Sequence, residues 1–168
     1  MPFESFLRGL IGFFDLPMSR MSAGTSGQDN LTLTIKGENF DVSPAICYEV
    51  AYGESLRKRS IDSSAIITVS NDTWFGPTNG PWQHLQIARV RALENAKPVI
   101  RATNNGITAV IDKNGIVVDK LPQFTSDVLR STANFTRGRT PYSYLGDWPI
   151  LSIIFLVLLF VWSRLRVL

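Results

Sequence analysis

A length of 168 residues suits one domain, and 45% hydrophobic with 18% charged residues excludes a disordered chain. The net charge is only +3, and the 17 basic residues are scattered rather than clustered, so no nucleic-acid partner is expected. A single cysteine, Cys47, and a single histidine, His84, exclude an internal disulfide and a four-ligand zinc site. No metal or cofactor is expected.

The opening Met1-Pro2-Phe3-Glu4 places an acid where a secretory signal needs a basic segment. Met18 to Asn30, rich in Ser and Gly, reads as a mobile loop. Leu31 to Ile35 alternates Leu-Thr-Leu-Thr-Ile, the pattern of a half-buried strand. A turn over Gly37 to Asn39 leads to a second strand, Val42 to Cys47, interrupted by Pro44. Glu49 to Arg59 reads as a helix whose Arg57-Lys58-Arg59 end complements the helix dipole. Ala65 to Val69 is a short apolar run, Ala-Ile-Ile-Thr-Val, typical of a strand buried on both faces. A Gly- and Pro-containing loop follows from Asn71 to Pro81. Trp82 to Ala96 reads as an amphipathic helix with Trp82, Leu85, Ala88, Ala92, Leu93 and Ala96 on one stripe. Pro98 to Thr103 is a strand, and Ile107–Ile111 with Ile116–Val118 forms a hairpin around Asn114-Gly115. Alternating strands and helices predict an α/β fold with helices layered on a sheet.

The end of the chain differs in character. No residue from Trp148 to Trp162 is charged, a helix of roughly 22 Å at ~1.5 Å per residue. Reading on to Leu168 extends it toward the ~30 Å of a hydrocarbon core, because Arg164 and Arg166 can snorkel to the interface. Trp148 and Trp162 stand where interfacial aromatics belong. The organisation expected is therefore a domain over 1–141, a link over 142–147, and a transmembrane helix with a short basic tail over 148–168. The positive-inside tendency puts that tail in the cytoplasm and the domain outside it.

Cys47 ends a strand and precedes a helix, within Ala45-Ile46-Cys47-Tyr48-Glu49. A sharp strand-to-helix turn exposes a side chain, and the helix start offers backbone N–H groups to a thiolate or an oxyanion. A buried structural cysteine is the competing reading. His84 opens a helix, where it could serve as base to Cys47 or hold structure or a cap.

Longer patterns bear on that choice. Pro44-Ala45-Ile46-Cys47-Tyr48-Glu49, Ser70-Asn71-Asp72-Thr73-Trp74-Phe75-Gly76, Gly80-Pro81-Trp82-Gln83-His84, Arg91 to Pro98 and Arg101 to Thr108 resemble the nitrilase, or carbon–nitrogen hydrolase, superfamily. More narrowly they resemble the bacterial apolipoprotein N-acyltransferases, as do Pro2-Phe3-Glu4-Ser5-Phe6-Leu7 and the Thr140-Pro141-Tyr142 before the apolar helix. The resemblance implies a partial nitrilase-like αββα sandwich followed by one C-terminal transmembrane helix. It implies Cys47 as nucleophile, with Tyr48 and Glu49 shaping the site and the Tyr48 N–H facing an oxyanion. Asn71, Asp72, Trp74 and Phe75 are the candidates for the substrate region. The implied reaction moves an acyl chain from a phospholipid donor to Cys47 as a thioester, then to the α-amine of a diacylglyceryl-lipoprotein acceptor. The implied setting is the bacterial inner membrane, with the catalytic domain periplasmic.

The same families use a Glu as general base and a Lys at the oxyanion, both before the Cys. Lys36, Glu4 and Glu38 lack the surrounding motifs, and neither role is carried onto a residue here. Met1 accordingly reads as an internal start or a fragment edge, and these residues by themselves are expected not to turn over. A membrane-tethered amidase-like hydrolase and a non-catalytic anchored remnant are the alternative readings.

Overall fold

The computed structural model of the chain describes residues 29–165. The loop read over Met18–Asn30 lies almost wholly outside the described residues, as do Glu4 and Arg166. The centre is a six-stranded sheet whose spatial order equals its chain order. β1 (Leu31–Ile35) and β2 (Glu38–Ile46) form an antiparallel hairpin. Its turn is Lys36-Gly37, with φ of 51° and 84°, the left-handed backbone that two-residue hairpin loops require. β2 is longer than its apolar core suggests because Glu38 to Asp41, polar apart from Phe40, are recruited by pairing with β1. Pro44 is tolerated within β2 because the β1 ladder ends at Leu31↔Val42, so the N–H that proline lacks has no β1 partner to lose.

β2, β3 (Ala65–Asn71) and β4 (Val99–Asn104) run parallel, and β5 (Ala109–Ile111) and β6 (Val117–Lys120) add antiparallel edges. The β5–β6 hairpin turns at Asn114-Gly115, where Gly115 has φ 75°. The parallel strands are joined by α1 (Gly53–Ser60) and α2 (Gly80–Asn95), which pack against each other on one face of the sheet. Both crossovers share one hand, so both helices must share one face.

Register defines that face. Ala45, Ile66, Val99, Ala109 and Ile111 all join the buried core with Leu56, Leu85, Ala88 and Ala92 from the helices. Thr68 and Arg101, a cross-strand pair, stand on the same face and are buried as completely. Pro44, Ile46, Ile67, Val69 and Ile100 alternate onto the opposite face, where Ile46 and Val69 are exposed. The described residues thus supply one helical layer and one sheet of a mixed α/β fold.

Two elements differ from the sequence reading. The single helix read over Glu49–Arg59 is a 3-10 turn, Cys47–Ala51, then α1, separated at Tyr52 (φ −84°, ψ 84°). In α2 the buried stripe is Pro81, His84, Leu85, Ala88, Ala92 and Asn95, while Trp82 and Leu93 are exposed. The polar members are buried because each has partners. Asn95 Nδ2 donates to the Arg91 carbonyl, and its Oδ1 accepts from Ser60. Trp82 instead lies against the Lys120 ammonium, 4.8 Å from its ring centre.

After β6 an extended segment crosses back to the amino ends of β3 and β4. Thr136 bonds the carbonyls of Ser64 and Ala96, and the buried Lys97 ammonium donates to the carbonyls of Thr136 and Gly138. The segment read as a link contains a short helix, α3 (Pro141–Leu145), capped by the Thr140 hydroxyl. Arg57 fastens α3 to α1. Its Nη1 donates to the Ser143 carbonyl at 2.6 Å, while Nε and Nη2 chelate Glu54, each at 2.8 Å. α4 (Trp148–Leu165) follows, 18 residues with mean hydropathy 2.1 and none of it buried, long and apolar enough to cross a membrane.

Arg57 is the hinge pin of this junction. Arg57→Ala leaves a buried carbonyl without its donor and should cost about 1–3 kcal/mol. Chemical denaturation of the variant should show a correspondingly lower midpoint, and Arg57→Lys should recover only part of it because a single ammonium cannot chelate Glu54.

Candidate active site

The carboxyl ends of β2, β3 and β4 carry Cys47, Asn71-Asp72 and Asn104-Asn105 side by side. Cys47 is the residue directly after β2. Its φ is +52°, a left-handed backbone that costs a non-glycine residue about 1–2 kcal/mol. The turn therefore needs support on both sides of the cysteine, and has it. On the amino side the Ile46 N–H donates to Glu49 Oε2 at 2.8 Å. On the carboxyl side the Cys47 carbonyl faces His84 Nε2 at 3.3 Å. The thiol is half-buried, and among the described residues no hydrogen bond holds it.

Glu49 also accepts from Arg59 Nη1 at 3.4 Å, so its carboxylate braces the turn. The Tyr48 ring is exposed, stacks edge-on with Tyr52 at 5.8 Å, and lies 6.4 Å from the His84 ring. The Phe75 ring lies 6.5 Å from the same imidazole. Tyr48 and Phe75 thus meet at one histidine although they are far apart in sequence. Trp74 stands beside Phe75 and is 90% exposed. Asn71 Oδ1 caps the same loop by accepting from the Thr73 N–H at 3.1 Å, and Asn105 donates to the Thr73 hydroxyl.

Asp72 has surroundings unlike those of Asn71, Trp74 and Phe75. It is 1% exposed and lies inside. Oδ1 faces His84 Nδ1 at 2.9 Å and accepts from the Ser70 hydroxyl at 3.0 Å, while Oδ2 accepts from Arg101 Nη2 at 2.7 Å. The Asp72 N–H is held by the Asn104 carbonyl. Burial pushes the Asp72 carboxyl up, but the His84 hydrogen bond and the Arg101 and His84 charges outweigh it, so the net shift is below the usual carboxylate range. Arg101 is fully buried, also bonds the Ile107 carbonyl through Nε, and has an Nη1 without a partner among the described residues. Gly106 completes the arrangement, because a Cβ there would overlap the Asp72 carboxylate.

The sequence reading weighed His84 as a base for Cys47. The ring instead reaches the backbone of Cys47. Arg101 had no assigned role, although its signal was present. In Val99-Ile100-Arg101-Ala102 it occupies the core phase of a strand, where an arginine requires a buried partner. Among the described residues no group of His, Cys, Asp and Glu forms a metal site.

Comparison with known proteins supplies the family. The carbon–nitrogen hydrolase family model matches residues 11–139. The chain is 48% identical over 150 residues to the apolipoprotein N-acyltransferase of Photobacterium profundum, covering 89% of this chain and 28% of that protein. It is 45% identical over 166 residues to that of Vibrio vulnificus, covering 98% and 32% respectively. With that of Pseudomonas paraeruginosa the identity is 44% over 164 residues, covering 98% and 31%. The chain spans about a third or less of the length of these relatives.

Asp72→Asn should cost about 3–5 kcal/mol at neutral pH, because it leaves the Arg101 charge buried and unpaired. The Asp72 carboxyl is depressed in the fold, so its contribution is complete above the unfolded value near pH ~4 and fades as pH falls through the folded value. Unfolding curves of wild type and variant should therefore differ most at neutral pH and converge below pH ~4.

Proposed function

The chain belongs to the carbon–nitrogen hydrolase family, and from that premise we propose that it carries the nucleophile-bearing part of an apolipoprotein N-acyltransferase. The observation that carries the reading is 44–48% identity to enzymes of that name along 89–98% of this chain. The left-handed Cys47 at the carboxyl end of the parallel strands supports it, because that backbone ends the strand at the cysteine, and Tyr48, Trp74 and Phe75 from the neighbouring loops are exposed.

In the first half-reaction the Cys47 thiolate attacks an ester carbonyl of a phospholipid. A C–S bond forms, the C–O bond breaks, and the lysophospholipid leaves as an alcohol after taking up a proton. In the second, the α-amine of a diacylglyceryl cysteine attacks the thioester. A C–N bond forms, the C–S bond breaks, the amine loses its proton and the thiolate is regenerated. The Tyr48 N–H, directly after the nucleophile, is the backbone donor nearest the developing oxyanion in sequence. Tyr48, Trp74 and Phe75 supply apolar and aromatic surface suited to an acyl chain, and Asn71 and Glu49 hold the loops that present them. The general base and the oxyanion cation are assigned to no described residue.

α4 is the membrane anchor in this reading, with the domain on the periplasmic face of the inner membrane and Arg164 toward the cytoplasm. A phosphatase reporter active only outside the cytoplasm, fused after residue 168, should be silent. High reporter activity would reverse the orientation.

In a form of this protein that transfers acyl chains, Cys47→Ala should reduce transfer to the uncatalysed background. Cys47→Ser should fall nearly as far, because a hydroxyl is far less ionised than a thiol at neutral pH. Mass spectrometry after incubation with phospholipid vesicles should find an acyl adduct on the Cys47 peptide. An adduct elsewhere, or a fully active Ala variant, would remove the nucleophile assignment. Release of free fatty acid, with no N-acylated product in the presence of acceptor, would favour the hydrolase reading.

A further inference from the structure

We propose that His84 is a positioning residue for the nucleophile, holding the strained backbone of Cys47 through its carbonyl at the end of a buried Arg101–Asp72–His84 chain. The proposal rests on the reading of Cys47 as the nucleophile.

The chain is built from four secondary elements that meet only in the fold. Arg101 comes from β4, Asp72 from the end of β3, His84 from α2 and Cys47 from the end of β2. Arg101, Asp72 and His84 are each at most 3% exposed. Burying three such groups is costly unless each is paired, and here each contact serves the next. Arg101 fixes one carboxylate oxygen of Asp72 at 2.7 Å, and the other oxygen orients His84 through Nδ1 at 2.9 Å. Nε2 is thereby aimed at the Cys47 carbonyl at 3.3 Å. A carboxylate and a backbone carbonyl are both acceptors, so only a ring with protons on both nitrogens donates to both. The Tyr48 and Phe75 rings lie 6.4 and 6.5 Å from the imidazole.

The position of Nε2 separates this role from general-base catalysis. A base must reach the thiol proton, whereas His84 Nε2 reaches the Cys47 carbonyl, and among the described residues no hydrogen bond joins the ring to the thiol. What it controls is the peptide that follows Cys47. That peptide follows directly on the left-handed φ of +52°, and it carries the N–H of Tyr48, the residue next after the nucleophile. Loosening the carbonyl lets the turn relax toward ordinary backbone and swings both groups away from productive geometry.

Two amides divide the ring's contacts between them. His84→Asn places its NH2 where Nδ1 stood, keeping Asp72 and losing Cys47. His84→Gln places its NH2 where Nε2 stood, keeping Cys47. His84→Asn should lower kcat for acyl transfer by about 10–100-fold with KM within about twofold, whereas His84→Gln should stay within about fivefold of wild type. Rates are taken per folded molecule, from thermal unfolding of each variant. The rate of iodoacetamide modification at the Cys47 peptide should follow the same order. That readout does not require the acyltransferase reading, so a wild type without acyl transfer leaves this test intact. Equal rates in both variants, or a His84→Asn variant as fast as wild type, would overturn the proposal. If neither variant folds, nitrogen NMR of His84 in the unaltered protein decides. Two protonated ring nitrogens support the proposal, and a bare Nε2 overturns it.

Discussion

The ion pair between Asp72 and Arg101 is the interaction from which the rest of the site follows. A fully buried guanidinium in the middle of β4 could be held by an apolar helix layer only if a carboxylate met it there. Meeting it pulls the start of the loop after β3 inward, so Asn71 and Thr73 stay at the surface while Asp72 turns to the interior. The loop then leaves Asp72 with a fixed direction, and Trp74 and Phe75 are delivered to the rim. The same carboxylate requires a donor from α2, which fixes the rotation of that helix about its axis. One electrostatic demand in the sheet therefore sets a loop, a helix phase and the support of the Cys47 turn.

That demand explains which parts of the fold were legible in the sequence. The bounds of β1 were readable to the residue because Leu-Thr-Leu-Thr-Ile alternates without exception, although Leu31 and Ile35 are exposed; β3 was readable from its short apolar run, although it continues to Asn71 and Val69 is exposed rather than buried. The phase of α2 was not readable by counting apolar residues. Trp82 and Leu93 score as core, yet His84 and Asn95 displace them, because a polar group with every bond satisfied buries as well as an apolar one. The break at Tyr52 was hidden for a related reason. Glu49 to Arg59 has the composition of one helix, but the left-handed Cys47 starts a tighter turn, and the helix axis restarts after it. The nucleophile candidate itself was visible from its strand-to-helix position and from the family resemblance. The route from Arg101 through Asp72 and His84 to the Cys47 backbone was not, since its two middle links are side chains from other elements.

The described domain also separates two tasks along the sheet. The carboxyl ends of β2 to β4 carry Cys47 and the aromatic rim, while the amino ends of β3 and β4 receive the returning segment through Ser64, Ala96 and Lys97. The buried Lys97 ammonium, which burial pushes below its ordinary pKa, is answered by carbonyls of that segment and by the charge of Asp62. Arg57 and Thr140 then lock α3 against α1 and α2 just before the apolar helix begins.

Gly106 carries a consequence for how such a sequence can drift. Its missing side chain is the space that the Asp72 carboxylate occupies. Any residue with a Cβ there pushes the carboxylate off Arg101, and with it the histidine. Replacing Asp72 by something smaller would make room but strand the guanidinium. Positions 72, 84, 101 and 106 are thus epistatically bound: each single step away from this combination passes through a less stable protein. The quartet should change as a block across descendants of this sequence, or not at all, whatever happens to the exposed aromatic rim above it.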